Sequence, residues 1–232
     1  MPTRSRFIPR QQGFTLIEIA IVLVIIGLLL GGVFKGQELI ENSKAKNAAN
    51  DMNAIIAAYN GYIDRYKRLP GDDGPLATLT ARGGNWTQVT LFGNNNGAIA
   101  STAFETFTAG AGEGPAFWQH LKAANFITGN VADIGINALP RNAFGGLTGI
   151  TSANVMPAAA TGLLGNKVCL SQVPGKQALA MDNQLDDGRP NSGTLRATQG
   201  VAGTNTPPGA NVPGGAAASY NESLIYTICR GM

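Results

Sequence analysis

The chain has 232 residues, a formal net charge of +3, 13% charged and 44% hydrophobic residues, 31 glycines and two cysteines. Charge is about half the ~25% of an ordinary soluble domain, which argues against a charged disordered tail, a long solvated coiled coil or a basic nucleic-acid arm. One histidine and two cysteines exclude a His-cluster metal centre, a Cys-based zinc site and a disulfide-dense scaffold.

From Phe14 to Phe34 runs FTLIEIAIVLVIIGLLLGGVF, 21 residues with Glu18 as the only charge. As a helix it spans roughly 30 Å, about one hydrocarbon core. The preceding MPTRSRFIPRQQG carries Arg4, Arg6 and Arg10 and no acidic residue. Such a flank predicts a cytoplasmic N-terminus with the rest of the chain translocated. A cleavable secretory signal has a shorter apolar core followed by a small-x-small site. This run passes through Leu30 to Phe34 without one. An uncleaved signal anchor fits the hydropathy but leaves Glu18 unexplained. A charge inside an apolar span costs a few kcal/mol or more unless it is paired or snorkels to the boundary.

Beyond Phe34 the helical pattern continues. Ala45, Ala48, Ala49, Met52, Ile55, Ile56, Tyr59, Tyr62, Ile63 and Tyr66 recur at three- and four-residue steps. The other face carries Glu41, Lys44, Lys46, Asn50, Asp51, Asn53, Asn60 and Asp64. Leu69-Pro70-Gly71-Asp72-Asp73-Gly74 is a strong stop. A helix from Phe14 to about Lys67 is then some 80 Å long. Gly27, Gly31, Gly32 and Gly36 lie in its middle, each costing ~1 kcal/mol against alanine. Close packing between membrane helices accounts for them, and so does a weak point that stretches on assembly. Both readings stay open.

Residues 70–232 are rich in Gly, Ala, Asn and Thr. A short helix is predicted from near Pro115, with Phe117, Trp118, Leu121, Ala124 and Ile127 on one stripe and Gly129 as its end. Val168 to Val173 reads as a strand, followed by Pro174-Gly175. Lys176 to Asp187 reads as a helix with Ala178, Met181 and Leu185 aligned and Gly188 as the cap. Thr194 to Ala197 and Ser223 to Cys229 are further strands. Long loops are predicted at about 71–112, 130–166 and 198–220. The fold class is α+β, one long helix packed on a small, loop-rich antiparallel sheet.

Four N-terminal features coincide: a basic leader, the Gly13-Phe14 junction, Glu18 five residues past it, and the apolar helix. Gly13-Phe14-Thr15-Leu16-Ile17-Glu18 in this setting resembles the signature of type IV prepilins and type II secretion pseudopilins. One departure is Gln12, where many such leaders have Lys or Arg. The resemblance implies a pilin-like fold. It also implies cutting between Gly13 and Phe14 by a prepilin peptidase that then N-methylates Phe14. Glu18 of one subunit then pairs with the Phe14 amine of a neighbour, a pair that matters in low dielectric because either charge alone is strongly unfavourable. The implied segments are a leader at 1–13, a transmembrane and assembly helix at 14–34, its amphipathic continuation at 35–69, and a periplasmic or extracellular head at 70–232. Implied partners are the prepilin peptidase/N-methyltransferase, other pilin or pseudopilin subunits and an inner-membrane assembly platform, with no cofactor and no nucleic acid.

Cys169 and Cys229 both fall on predicted strands beyond the membrane crossing, in an oxidising compartment. Their pairing resembles the disulfide that staples the C-terminal region of many type IV pilins; two buried thiols are the alternative. His120 has no Ser, Cys or Asp at a recognisable triad spacing, so packing or capping is its expected role. Asp182, Asp186 and Asp187 are weak candidates for a calcium site; their spacing matches no EF-hand loop, and solvation near a helix end is the ordinary reading. Asp72-Asp73 and Gly93-Asn94-Asn95-Asn96-Gly97 read as turn chemistry. The head is also similar to a group of uncharacterised bacterial pilin-like proteins through Leu69-Pro70-Gly71-Asp72, Trp118-x-His120-Leu121 and Leu185-Asp186-Asp187-Gly188. That resemblance implies no activity.

The expectation is a structural subunit, stored in the bacterial inner membrane with its head in the periplasm and then polymerised. A minor subunit acting as an adhesin or ligand-binding tip is the alternative, and a signal-anchored periplasmic enzyme lacks a convergent catalytic set. Removing Arg4, Arg6 and Arg10 with the leader leaves 14 basic and 14 acidic side chains. The net charge of +3 thus belongs to a topology signal, not to the mature chain.

Overall fold

The computed structural model describes residues 13–108, 111–158, 161–163, 165–209 and 219–232, so the leader arginines lie outside the described residues. The first helix, α1 (Leu16–Tyr66), runs unbroken through all four central glycines. The chain divides into two compact units, the first ending at Glu41 and the second running Asn42–Met232.

In the first unit the side chains are exposed: Leu16 is 88% accessible and Phe34 66%. The helix is long and apolar enough to cross a membrane, as its sequence predicts. A Cβ built on Gly27, Gly31, Gly32 or Gly36 meets nothing within 4 Å. No contact among the described residues therefore requires those glycines.

In the second unit the amphipathic stretch of α1 finds its core. Ala45, Ala48, Ala49, Met52, Ile55, Ala58 and Tyr62 are buried, matching the three- and four-residue periodicity of the sequence. A four-stranded antiparallel sheet has the order β1-β4-β6-β5, from β1 (Thr148–Thr151), β4 (Lys167–Pro174), β5 (Leu195–Gln199) and β6 (Ile225–Gly231). A separate ladder pairs β2 (Val155–Ala158) with β3 (Thr161–Leu163). Residues of α1 and of the sheet share one apolar cluster. Polar contacts add to it: Asn166 Nδ2 donates to the Tyr59 hydroxyl at 3.0 Å, and Arg230 Nη1 donates to Asn53 Oδ1.

Among the described residues the head also has three shorter α-helices: α2 (Leu76–Thr80), α3 (Glu113–Ala123) and α4 (Gly175–Leu185). All eleven residues of α3 are buried, Lys122 among them. The Lys122 ammonium donates to the carbonyls of Ala138 at 3.0 Å and Asn130 at 3.4 Å, which ties down the loop after the helix. The predicted stripe of α3 is therefore only part of what it buries.

Three expectations need correction. The end of α3 is not Gly129 but Asn125, which adopts φ 60°. Phe126 N–H donates to Leu121 O at 3.0 Å and Asn125 N–H to Lys122 O at 3.0 Å, the paired bonds of a Schellman ending. Asparagine tolerates the left-handed conformation well enough to take the place usual for glycine. The reversal lays the Phe126 ring on α1 at Gly61, where an added Cβ would come within 2.9 Å of the ring. Second, the stretch 130–166, predicted as loop, contains β1, β2 and β3. These strands are four residues or fewer and include Gly149 and Pro157, so no alternating apolar pattern marks them. The stretch 71–112 likewise contains α2 and two short 3-10 turns, Gly84–Gln88 and Phe104–Phe107.

Candidate processing site and the motifs of the head

Gly13 and Phe14 precede the first turn of α1 in exposed chain, with Phe14 85% accessible. A Cβ on Gly13 meets nothing within 4 Å, so nothing in the described chain demands glycine there. Thr15 is the helix N-cap by position and Glu18 is the third helical residue. Their contacts form a capping box. Glu18 N–H donates to Thr15 Oγ1 at 3.3 Å, and Glu18 Oε2 accepts from Thr15 N–H at 2.8 Å and from the Thr15 hydroxyl at 2.7 Å. The sequence pointed to Glu18 but not to its partner. The signal was present, since Thr-x-x-Glu ahead of an apolar run is itself the capping-box pattern.

Cys169 and Cys229 form a disulfide and stand directly opposite each other on β4 and β6. It joins the two central strands of the sheet across a sequence separation of 60.

His120 is fully buried and occupied on both ring nitrogens. Gly71 N–H donates to Nδ1 at 2.9 Å, which places the proton on Nε2, and Nε2 donates to Leu91 O at 3.0 Å. Burial pushes the imidazole down to about 4, against the pull of the Leu91 carbonyl and the Asp73 charge. The ring is thus neutral and acts as a bolt between two loops. Gly71 is needed there twice over: its φ is +93°, and a Cβ would come within 2.5 Å of Glu113 O. The motifs Leu69-Pro70-Gly71-Asp72 and Trp118-x-His120-Leu121 are therefore two sides of one joint.

The same joint continues through Asp72 and Asp73. Asp72, buried, accepts from Asn96 N–H at 3.1 Å and Gly97 N–H at 2.8 Å. Asp73 accepts from the Tyr62 hydroxyl at 2.7 Å and from Arg82 Nη2 at 2.9 Å. Arg82 in turn lies 4.5 Å from the ring centres of Tyr66 and Trp86. The turn reading for Asp72-Asp73 misses this network, because its partners lie nine to 25 residues away.

The third motif closes α4. Asp182, Asp186 and Asp187 bring carboxylate oxygens within 4.8 Å of one another. Each is also engaged with the chain. Asp182 accepts from the Tyr220 hydroxyl at 2.6 Å and Gly188 N–H at 3.1 Å. Asp186 accepts from Leu195 N–H at 2.8 Å and from Thr194 N–H, and Asp187 from the Ser192 hydroxyl at 2.5 Å. Burial pushes the Asp182 carboxyl up to about 7; the bonds from Tyr220 and Gly188 oppose the rise, and the neighbouring charges of Asp187 and Asp186 add to it. These carboxylates fasten the end of α4 to the start of β5.

Residues 8–34 match the family model described as the prokaryotic N-terminal methylation motif, the type IV pilin signature. No curated protein matches the chain. The match covers the Gly13-Phe14 junction, the capping box and the apolar first half of α1. Together with that helix it fits a membrane-anchored, single-pass, pilin-like protein.

Proposed function

We propose that the chain is a structural subunit of a type IV pilus or type II secretion pseudopilus. A prepilin peptidase removes residues 1–13 by cutting between Gly13 and Phe14, and Phe14 is N-methylated. Residues 14–34 hold the subunit in the inner membrane, with the N-terminus cytoplasmic and the head periplasmic, and later pack against other subunits. Residues 35–69 continue the helix and residues 70–232 form the head. The assembly platform of the inner membrane is the implied partner for polymerisation.

One observation carries this reading: the methylation motif at 8–34 ends in a helix whose apolar side chains have no partner of their own within the described first unit. Gly13 supports it, since glycine there answers no steric need among the described residues. Glu18 fits as well. Its Oε2 is held by Thr15 while Oε1 accepts nothing among the described residues. The capping box thus orients a carboxylate whose second oxygen remains for the Phe14 amine of a neighbouring subunit.

Substitutions separate the two roles of Glu18. Glu18→Gln retains a capping-box residue but removes the charge. It is expected to be processed normally and to fail incorporation into filaments, whereas Gly13→Ala slows or blocks processing. Wild-type incorporation of Glu18→Gln, read by shearing and immunoblotting, contradicts the charge-pairing role.

A further inference from the structure

A cavity of about 340 Å³ opens on the head between α1, the turn after α3 and the chain before β1. Its volume is at the lower end of the roughly 300–1,000 Å³ typical of small-molecule sites. The floor is apolar, from Ile55, Trp118, Phe126 and Ile127. Two opposite charges line the same cavity, Asp51 from α1 and Arg141 from the chain before β1. They do not pair with each other. Among the described residues Asp51 makes no hydrogen bond or ion pair, although the apolar walls withdraw it partly from water and raise its carboxyl above the usual range. Among the described residues the Arg141 side chain reaches only the Gly145 carbonyl, at 3.4 Å.

The walls are set in place before any ligand arrives. Phe126 is fixed by the Schellman ending of α3 and by its seat on Gly61. The segment with Arg141 is bridged to Leu147, and Thr148 N–H donates to Pro140 O at 2.8 Å. Next to it, Asn142 Nδ2 donates to Ser171 O at 2.8 Å. A carboxylate and a guanidinium held apart over an apolar floor are complementary to a small molecule with an ammonium, a carboxylate and an apolar body. Charge-assisted hydrogen bonds to both groups fix its orientation, and a preformed site loses little to ordering.

We propose that this cavity binds a free apolar α-amino acid, its ammonium on Asp51, its carboxylate on Arg141 and its side chain on Phe126 and Ile127. The site lies outside residues 8–34, which carry the N-terminal motif.

Calorimetric titration of the full chain in lipid nanodiscs with L-leucine tests it. The expected result is saturable one-to-one binding, weakened about tenfold or more by Asp51→Asn and by Arg141→Gln. N-acetyl-L-leucine, which lacks the ammonium, and L-leucine methyl ester, which lacks the carboxylate, are expected to bind as weakly to the unaltered protein. These two analogues decide the matter even if a variant misfolds. In a Trp86→Phe background, L-leucine should also change the Trp118 fluorescence. Absence of L-leucine binding at millimolar concentration overturns the proposal, as does equal binding of all three molecules.

Discussion

The two halves of α1 both carry apolar residues, and these behave in opposite ways. In the first unit Leu16, Leu23 and Phe34 are 88%, 63% and 66% accessible, whereas in the second Ala48, Ala49, Met52 and Tyr62 are 0% accessible. The difference lies in pattern. The first half is apolar on every face and needs an apolar environment from outside the chain. The second half confines its apolar residues to one stripe and meets a core that the chain itself supplies. One helix therefore belongs to two folding problems, one solved outside the chain and one by the head.

The largest effect expected from breaking this division is deletion of residues 14–34, which should abolish membrane association in a flotation assay. Continued flotation of the deleted chain would contradict the assignment of the first half. Next is the disulfide, which acts on the head alone. Under the chain-entropy model, Cys169→Ser should cost about 4 kcal/mol in denaturant unfolding and leave membrane association unchanged. An unchanged unfolding midpoint would remove the disulfide from the account of head stability.

Matched truncations sharpen the contrast within the helix. Met52→Ala removes a fully buried side chain and should cost about 2–5 kcal/mol of head stability. Val24→Ala, at a position 62% accessible, should leave head stability unaltered. Equal effects from the two would erase the distinction between the halves.

The smallest effect expected concerns acidity, and here too the head acts alone. His120 is depressed from 6.5 to about 4, so its contribution to stability is present above pH 6.5 and is lost as pH falls through 4. Asp182 is raised from 3.8 to about 7, so its contribution is present below pH 3.8 and is lost as pH rises through 7. The two oppose each other between about pH 4 and 6.5. The unaltered head should therefore show a shallow profile there. Asp182→Asn should unmask the histidine, with stability falling by up to about 3 kcal/mol from pH 7 to 4. Identical slopes for the two proteins would contradict the assigned shifts.

Most of the fold is legible in the sequence where periodicity runs long. The stripe from Ala45 to Tyr62 and the run Val168 to Val173 both appear where expected. Elements of four residues or fewer escape, because Thr148–Thr151 and Val155–Ala158 are too short to establish an alternation. At the N-terminus the motif identifies Glu18, yet the contact with Thr15 emerges only from geometry. In the head the quoted motifs are visible as strings, but their meaning is spatial. Gly71 and His120 meet across 49 residues, and local spacing contains no trace of that bond. The cavity between Asp51 and Arg141 is invisible for the same reason.

Maturation at the N-terminus of α1 changes the mass of the first peptide of the chain. Mass spectrometry of the N-terminal peptide from protein purified from its own membranes tests it most directly. The expected product is a chain beginning at Phe14 with one methyl group on its α-amine. A chain that retains residues 1–13, or one cut at another position, would contradict it.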